Sequence, residues 1–267
     1  MYLIDGSTFI FRAYFAMYKA AQARGNNFTH SDGTPTGAVM AFCNMMWKLI
    51  NNGIDGVFPT HTAVIFDPKG NTFRNEIYPK YKANRESAPE DLIPQFPLIH
   101  DAIRAFNLEP IVQENFEADD LIATYAKIAD SRNANVTIIS GDKDLMQLVN
   151  DKIKMYDPMP GNERFIDKEA VKSKFGVMPD RVVDVQALAG DSTDNIPGVP
   201  GIGVKIAAEL INEYGSLIEV LENSEKVKQN KRRENLIEYA DNARISYKLA
   251  LLRQDVPIEI KLEKLVS

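Results

Sequence analysis

The chain has 267 residues, of which 45% are hydrophobic and 25% are charged, and its net charge at pH 7 is −6. This composition excludes a disordered or collagen-like chain, and no apolar run reaches the 18 or so residues that a membrane span needs. The single cysteine, Cys43, excludes an internal disulfide and a cysteine-rich zinc site, so we expect a protein of the reducing cytoplasm. The net negative charge alone argues against nucleic acid as a partner, but it does not say where the charges lie.

Along the first two thirds of the chain, short β-type runs alternate with helical runs. Strands are predicted at Tyr2–Ile4, Thr62–Phe66, Glu109–Gln113, Asn135–Ser140 and Ile153–Tyr156, and helices at Ala38–Ile50 and Glu117–Ile128. After Val177 only helical runs follow, at Pro179–Leu188, Val204–Tyr214, Ser216–Leu221 and Arg232–Leu252. The sequence therefore predicts an α/β region, 1–176, with a mostly parallel sheet, and a closely packed all-helical region, 177–267.

Residues 69–105 form a distinct stretch that is basic and rich in proline. Between Lys69 and Arg85 there are five basic residues and one acid, and the aromatic residues Phe73, Tyr78 and Tyr81 lie among them. We predict that the whole stretch is an exposed excursion from the sheet and does not belong to the core.

Acidic residues cluster where predicted strands end or helices begin. They are Asp5, Asp67, Glu117, Asp119, Asp120, Asp142, Asp144, Asp191 and Asp194. Taken one at a time, a structural role as a helix cap or a turn residue explains each acid about as well as a functional role does. The carboxyl ends of the strands in an open α/β sheet share one crevice, so we expect these carboxylates to converge there.

So many carboxylates repel one another unless cations neutralise them. The three histidines lie outside the acidic motifs, and oxygen ligands alone favour magnesium or manganese over zinc. Two such ions suit phosphodiester hydrolysis, because one activates a water nucleophile and both stabilise charge on the attacking and leaving oxygens.

A glycine-rich hairpin extends from Gly190 to Gly203 and precedes a predicted helix. Gly198, Gly201 and Gly203 permit tight turns, and the helix N-terminus with Lys205 can hold a phosphate. The pattern resembles a helix-hairpin-helix element, which grips a DNA backbone without reading bases. The alternative is an ordinary glycine turn between two helices.

The motifs LIDGS, FD, FEADD, SGDKD and GDSTDNIPGVPGIGVK, in this order and spacing, resemble those of the 5′-nuclease (flap endonuclease) superfamily. The chain looks closest to the bacterial 5′–3′ exonuclease domain found at the N-terminus of DNA polymerase I. The resemblance implies a PIN-like core with a helical arch at about 69–105, and a helix-hairpin-helix at about 188–214. It also implies a 5′–3′ exonuclease and flap endonuclease that cuts 5′ flaps, nicks and 5′ ends of branched duplex DNA, for RNA-primer removal and repair.

The resemblance further implies roles for individual residues. It gives Asp5, Asp67, Glu117 and Asp119 to a first, catalytic Mg²⁺ or Mn²⁺ ion, Asp142, Asp144, Asp191 and Asp194 to a second, and Asp120 to a contact through water. In the arch, it makes Lys82 and Arg85 contacts of the scissile phosphate and Tyr81 a stacking partner for a base, with Arg74 and Lys80 as further DNA contacts. It also implies that the hairpin from Gly198 to Lys205 holds downstream duplex and a potassium ion.

Two other functions remain open. A PIN-like ribonuclease shares a four-acid site at strand ends, but it gives no reason for the hairpin and the additional acids. A non-catalytic DNA-structure-binding module would lack a metal ligand, and none is missing here. The expected partners are branched or nicked duplex DNA with a 5′ flap or RNA primer, and a fused or cooperating DNA polymerase. We expect a monomer without membrane contact, and a polar loop at 20–32 that is longer than usual.

Overall fold

The computed structural model describes residues 1–24, 28–159 and 161–267. Its helices and strands are, in chain order, β1 (Tyr2–Asp5), α1 (Gly6–Arg24), α2 (Gly37–Asn52), β2 (Thr62–Phe66), α3 (Phe73–Ile77), α4 (Gln95–Ala105), β3 (Pro110–Val112), α5 (Ala118–Ser131), β4 (Val136–Ile139), β5 (Ile153–Asp157), β6 (Arg164–Ile166), α6 (Lys168–Phe175), α7 (Val182–Ala189), α8 (Val204–Tyr214), α9 (Leu217–Glu222), α10 (Asn230–Glu238) and α11 (Ala240–Ala250). All five predicted strands are present, and the helix predictions are confirmed in outline.

The six strands form one sheet in the order β3-β2-β1-β4-β5-β6. Every neighbouring pair is parallel except β5 and β6, which are antiparallel. The chain adds β2 and β3 on one side of β1 and then crosses over to add β4 and β5 on the other side. The strand order therefore reverses at β1, and a crevice opens there between the carboxyl ends of β1 and β4. The predicted α/β fold with a mostly parallel sheet is confirmed.

Alternation along the strands divides the core into two layers, because successive side chains point to opposite faces of a sheet. Tyr2 and Ile4 belong to the cluster that packs against α1, α2 and α4. Leu3 and Ala63 belong to the other cluster, which packs against α5 and the C-terminal helices. Both faces of the sheet are covered, which explains why its strands read as continuous apolar runs.

The C-terminal helices share the second core layer with the sheet. Val185 of α7, Ala207 of α8 and Leu236 of α10 lie in the same buried cluster as Leu3. The predicted close contact between the two regions is confirmed. The predicted helical run 232–252 consists of two helices, since α10 ends at Glu238 and α11 begins at Ala240.

The prediction that residues 69–105 are an exposed helical arch outside the core is wrong in two respects. Residues 78–94 contain turns and no helix. Leu92, Ile99 and Ile103 are fully buried in the layer that covers the sheet. Apolar spacing in α4 places Ile99 and Ile103 against α2. Pro79, Pro89 and Pro94 precede α4, and Pro97 lies in its first turn, where a backbone N–H has no partner within the helix.

Helices α1 and α6 and the antiparallel strand β6 were not predicted from the sequence. Helix α1 occupies the first part of the predicted polar loop 20–32, and residues 25–27 of that loop lie outside the described residues. Within the described ranges, no helix is long and apolar enough to cross a membrane.

Candidate active site

Most of the predicted acidic residues line one cleft of about 440 Å³ at the crevice beside β1. The acids that line it are Asp5, Asp67, Glu117, Asp119, Asp142, Asp144 and Asp194. The four bases that line it are Arg12, Arg74, Lys82 and Arg85. Asp191 lines an adjoining cleft together with Asp142, Asp144 and Asp194. The predicted convergence of carboxylates from separate segments is therefore present in the structure, for all of them except Asp120.

Asp5 ends β1 and is 3% exposed. Its carboxylate accepts hydrogen bonds from the Thr8 backbone N–H at 2.9 Å and the Ser140 hydroxyl at 2.8 Å. Burial raises the pKa of Asp5 to about 6 in spite of these hydrogen bonds, and the Asp67 carboxylate contributes to the rise. Because the hydrogen-bond donors to Asp5 are neutral and another carboxylate lies beside it, a bound cation would stabilise its charged form.

Two further carboxylates of the cleft lie at the N-terminus of α5. The Ala118 backbone N–H donates to Asp67 Oδ1 at 2.9 Å, so the positive end of the helix dipole fixes Asp67. Asp119 lies one residue further along. Burial raises the pKa of Asp119 well above its ordinary value, and repulsion from Asp142, Asp5 and Asp67 raises it further.

The loop after β4 supplies Asp142 and Asp144. Asp142 Oδ1 accepts the Asp144 backbone N–H at 2.9 Å, and Asp144 Oδ1 accepts from Gln186 of α7 at 2.5 Å. Burial and then Asp142 raise the pKa of Asp144 to about 7. In the adjoining cleft, Asp191 forms an ion pair with Lys143 at 2.5 Å. This side of the site is therefore held by α7 as well as by the sheet.

The arch bases point into the same cleft. Lys82 Nζ lies 2.6 Å from Glu117 Oε1, and Arg85 Nη2 lies 2.6 Å from Asp194 Oδ1. Burial lowers the pKa of Lys82, but Glu117 and Asp194 outweigh burial and raise it overall. Lys82 has a φ of +55°, in the left-handed region that non-glycine residues rarely adopt. The predicted juxtaposition of these two bases with the acids is present.

Tyr81 does not face solvent in this conformation. It is 5% exposed, and its hydroxyl donates to Glu117 Oε2 at 3.0 Å. The prediction that Tyr81 offers a ring face to a base is not met here, because the ring lies in a small cluster with Ile196 and Leu249. Lys80, by contrast, is exposed as predicted for a DNA contact.

The predictions that Asp120 contacts a metal through water and that Arg74 contacts DNA are both wrong for this structure. Asp120 is 0% exposed and Arg74 is 1% exposed. The two form a bidentate ion pair, with N···O distances of 2.7 and 2.8 Å. Asp120 also accepts the backbone N–H groups of Glu117 and Arg253. With both oxygens satisfied in the core, Asp120 stabilises the base of the site and has no free ligand position.

In the hairpin, the three predicted glycines have different environments. Gly198 has a φ of +60°, and a Cβ there would lie 2.4 Å from the Gly190 nitrogen. Its N–H donates to Ser246 Oγ at 2.9 Å, so Gly198 is a buried turn residue and the prediction that it contacts DNA is wrong. Gly201, Gly203 and Lys205 are exposed, and no side chain among the described residues caps the N-terminus of α8. The exposed end of this helix is the part of the hairpin that is open to a ligand.

Sequence reasoning missed several residues of α1 that line the cleft, among them Phe11, Arg12 and Phe15. Phe11 is 39% exposed and Phe15 is 52% exposed, so both present aromatic surface to solvent beside the acids. A signal was available, since the two aromatics are four residues apart and must share a helix face once α1 is recognised.

The donor set of the cleft fits hard divalent cations, because it consists of carboxylate oxygens and the pKa values of Asp5, Asp119 and Asp144 are raised. Among the residues that the structure describes, no three acidic, histidine or cysteine side chains are already arranged as a ligand group. Glu117 and Asp194 are turned toward Lys82 and Arg85. The metal assignments of the individual acids stay predictions.

Comparison with known proteins gives a match along the whole chain. Residues 1–176 match the family described as "5′-3′ exonuclease, N-terminal resolvase-like domain", and residues 177–267 match "5′-3′ exonuclease, C-terminal SAM fold". DNA polymerase I of Rhizobium leguminosarum is 51% identical over 269 residues, which cover 100% of this chain and 26% of the relative. A 5′-3′ exonuclease of Aquifex aeolicus is 35% identical over 265 residues, which cover 99% of this chain and 86% of the relative. The chain thus spans about a quarter of the length of the curated DNA polymerase I relatives.

Solved structures have the same fold. T5 5′-exonuclease with bound divalent metal ions (zinc) matches with a TM-score of 0.75 and 23% identity, over 94% of this chain and 88% of that one. T5 flap endonuclease in a pseudo-enzyme-product complex with DNA and metal ions matches with a TM-score of 0.75 and 22% identity, over 93% and 88%. At these identities the likeness shows the fold alone.

Proposed function

The chain belongs to the family of 5′-3′ exonucleases, which are metal-dependent nucleases, and we propose that it hydrolyses phosphodiester bonds at 5′ flaps, nicks and 5′ ends of branched duplex DNA. The observation that carries the proposal is the cleft at β1, where seven carboxylates from separate segments meet the bases Lys82 and Arg85. A structural role for the acids as helix caps and turn residues would not require them to line one cleft together.

We propose that two Mg²⁺ or Mn²⁺ ions occupy the cleft. The first would be held by Asp5, Asp67, Glu117 and Asp119, and the second by Asp142, Asp144, Asp191 and Asp194. When bound, such ions supply Lewis-acid stabilisation of charge on the phosphate oxygens and activate water. The raised pKa values of Asp5, Asp119 and Asp144 support this proposal, because the side chains around them do not supply enough positive charge to offset their burial and mutual repulsion.

Lys82 and Arg85 hold the scissile phosphate in this proposal. Both are cationic, because Glu117 and Asp194 keep their pKa values above the ordinary range in spite of burial. Glu117 and Asp194, which now pair with these two bases, are themselves proposed metal ligands. With substrate bound, the two carboxylates would pair with metal ions and the two bases with the phosphate. The exposed aromatic surface of Phe11 and Phe15 borders the same path and suits unpaired bases.

The C-terminal region holds the duplex in this proposal, so that residues 1–176 carry the chemistry and residues 177–267 carry backbone binding. Support comes from Gly201, Gly203 and Lys205 at the uncapped start of α8, where backbone N–H groups can meet phosphates. A potassium ion on the hairpin carbonyls belongs to the same proposal. The match to DNA polymerase I of Rhizobium leguminosarum supports RNA-primer removal and repair as the setting, with a fused or cooperating polymerase.

The test is cleavage of a 5′-labelled flap DNA with Mg²⁺, by the wild type and by Asp67→Asn and Asp119→Asn. We expect a short 5′ product from the wild type and none from the two variants, which should still bind the DNA. Asp241→Asn is the matched control, because it makes the same chemical change at an exposed residue of α11. The proposal fails if the wild type releases no product at any metal concentration, or if it prefers single-stranded RNA.

A further inference from the structure

The loop that carries Asp191 and Asp194 is a closed turn with well-defined ends. Asp191 and Ile196 donate backbone N–H groups to each other's carbonyl oxygens, at 2.9 and 2.8 Å. Inside the loop, the Thr193 backbone N–H donates to Asp191 Oδ1 at 2.8 Å. Gly190 adjoins the loop, and a Cβ there would lie 2.7 Å from the Ile196 carbonyl oxygen, so the two ends are in close contact. The loop 191–196 therefore presents a fixed backbone to the segment that packs against it.

Two asparagine side chains join this loop to the arch segment 80–85, one from each side. Asn84 Nδ2 donates to the Ser192 carbonyl oxygen at 2.8 Å, and Asn195 Nδ2 donates to the Lys80 carbonyl oxygen at 2.6 Å. The joined arch positions, 80 and 84, lie two residues before and two residues after Lys82. The two amides therefore hold the backbone on both sides of this lysine.

Lys82 lies between these two attachments in a backbone conformation that needs support. Its φ is +55°, in the left-handed region that a lysine adopts only where the surrounding structure holds it. Its N–H donates to the Asp194 carbonyl oxygen at 2.9 Å. Asn195 also has a left-handed backbone, with a φ of +56°, which asparagine tolerates better than most residues. Three hydrogen bonds to the loop 191–196 thus set the direction in which the Lys82 side chain leaves the backbone.

These three hydrogen bonds leave the charged groups of the cleft free to change partners. They use only backbone groups and side-chain amides, whereas Lys82 Nζ and the Arg85 guanidinium are joined to carboxylates by separate ion pairs. Neither Asn84 nor Asn195 lines the catalytic cleft or the adjoining cleft. Metal ions and a phosphate can therefore replace the ion pairs while the arch segment 80–85 stays attached to the loop 191–196.

We propose that Asn84 and Asn195 are positioning residues, which fix the Lys82 ammonium and the Arg85 guanidinium relative to the carboxylates of the second proposed metal ion. Neither amide contacts the substrate, and each acts through the backbone of the arch segment 80–85. A catalytic group that is misplaced by about 1 Å costs roughly 100-fold in rate, so attachments of this kind matter to the chemical step. The inference rests on the proposed nuclease function, because it assigns a role within that site.

The experiment compares single-turnover cleavage of flap DNA with Mg²⁺ and the Kd of flap DNA in EDTA. Asn84→Ala removes one amide, and Asn195→Gly removes the other while its backbone keeps a positive φ without steric cost. Asn212→Ala is the matched control, because Asn212 Nδ2 is exposed and donates to the Gly176 carbonyl oxygen at 2.9 Å, the same kind of hydrogen bond outside the arch. We expect the cleavage rate to fall about tenfold in each single variant and about 100-fold in the double variant. Kd should stay within about twofold, because no charge is removed, and the control should change neither quantity by more than about twofold.

Hydrogen exchange of the Lys82 amide, measured by NMR in EDTA, tests the positioning without cleavage. This N–H should exchange at least about tenfold faster in Asn84→Ala and Asn195→Gly than in the wild type, because the arch segment opens more often. The Val199 N–H, which donates to the Leu188 carbonyl oxygen at 2.8 Å, is the control amide and should be unchanged. A merely structural role for the asparagines would accelerate both amides. Addition of Mg²⁺ to the wild type should leave the Lys82 amide protected, and loss of protection would contradict an attachment that persists with metal bound.

Wild-type cleavage rates in both asparagine variants would overturn the inference, and so would an equal loss in Asn212→Ala. A raised Kd with an unchanged single-turnover rate would also overturn it, because the amides would then act in binding. If the wild type cleaves flap DNA and the two variants cleave normally, the positioning role alone is wrong. If the wild type cleaves no flap DNA, the proposed function is wrong, and hydrogen exchange still shows whether the two amides hold Lys82.

Discussion

Asp119 and Asp120 are neighbours in one helix turn, yet the structure predicts opposite consequences for the same substitution. Asp120→Asn removes the charge that compensates Arg74 in the core, where the two side chains are 0% and 1% exposed. An asparagine amide would also direct donor hydrogens at the donor groups of Arg74. Asp119→Asn removes a carboxylate that repels Asp142, Asp5 and Asp67.

The magnitude follows from the geometry of the buried pair. Removing one partner of a buried, hydrogen-bonded ion pair costs about 3–5 kcal/mol, because the other charge stays buried without compensation. For a domain of this size, each kcal/mol lowers the melting temperature by about 2–4 °C, so Asp120→Asn should lower it by about 10 °C. Asp119→Asn should change the free energy of unfolding by less than about 1 kcal/mol, in the stabilising direction.

The assay is thermal and urea unfolding in EDTA, followed by flap cleavage with Mg²⁺ well below the melting temperature. We expect Asp120→Asn to be unstable but to cleave in proportion to its folded fraction, and Asp119→Asn to be stable but inactive. A double variant with Arg74→Met and Asp120→Leu should recover stability, since apolar side chains of similar volume replace the pair. The reasoning is refuted if Asp120→Asn keeps the wild-type melting temperature and loses cleavage, because Asp120 would then act at the metal site.

Three further predictions concern the hairpin, the arch and pH. Gly198→Ala should lower the free energy of unfolding by about 2 kcal/mol or more in urea titration, because φ is +60° and the new Cβ would collide with the Gly190 backbone. Gly203→Ala is the control and should change the free energy of unfolding little, because a Cβ there would meet open space. Lys82→Met should tighten Mn²⁺ binding about tenfold in calorimetry while lowering flap cleavage, because it removes a cation that competes for the acids; unchanged affinity would contradict this. In EDTA, Asp5 (pKa about 6) and Asp144 (pKa about 7) hold protons more tightly in the folded state than in the unfolded state. The free energy of unfolding should therefore fall as pH rises from about 4 through 7. Urea midpoints that rise over this range would contradict the prediction.

The sequence determined the five parallel strands, most of the helices and most of the chemistry, because these follow from local patterns. Apolar runs such as Thr62–Phe66 gave the strands. The carboxyl ends of parallel strands lie at one edge of a sheet, so the sequence alone predicts that Asp5 and Asp67 share a crevice. The glycines of the hairpin predict tight turns, but the pattern does not show that Gly198 is buried and Gly203 is exposed.

Only the tertiary structure decided which charges face the cleft and which lie in the core. Asp119 and Asp120 have the same side chain and adjacent positions, and their roles differ because Arg74 reaches only Asp120. The pairing of Arg12 with Asp157 joins residues 145 positions apart, so no local pattern contains it. Burial makes a charge costly unless a partner compensates it, and the fold alone determines which distant side chains come close enough to be that partner.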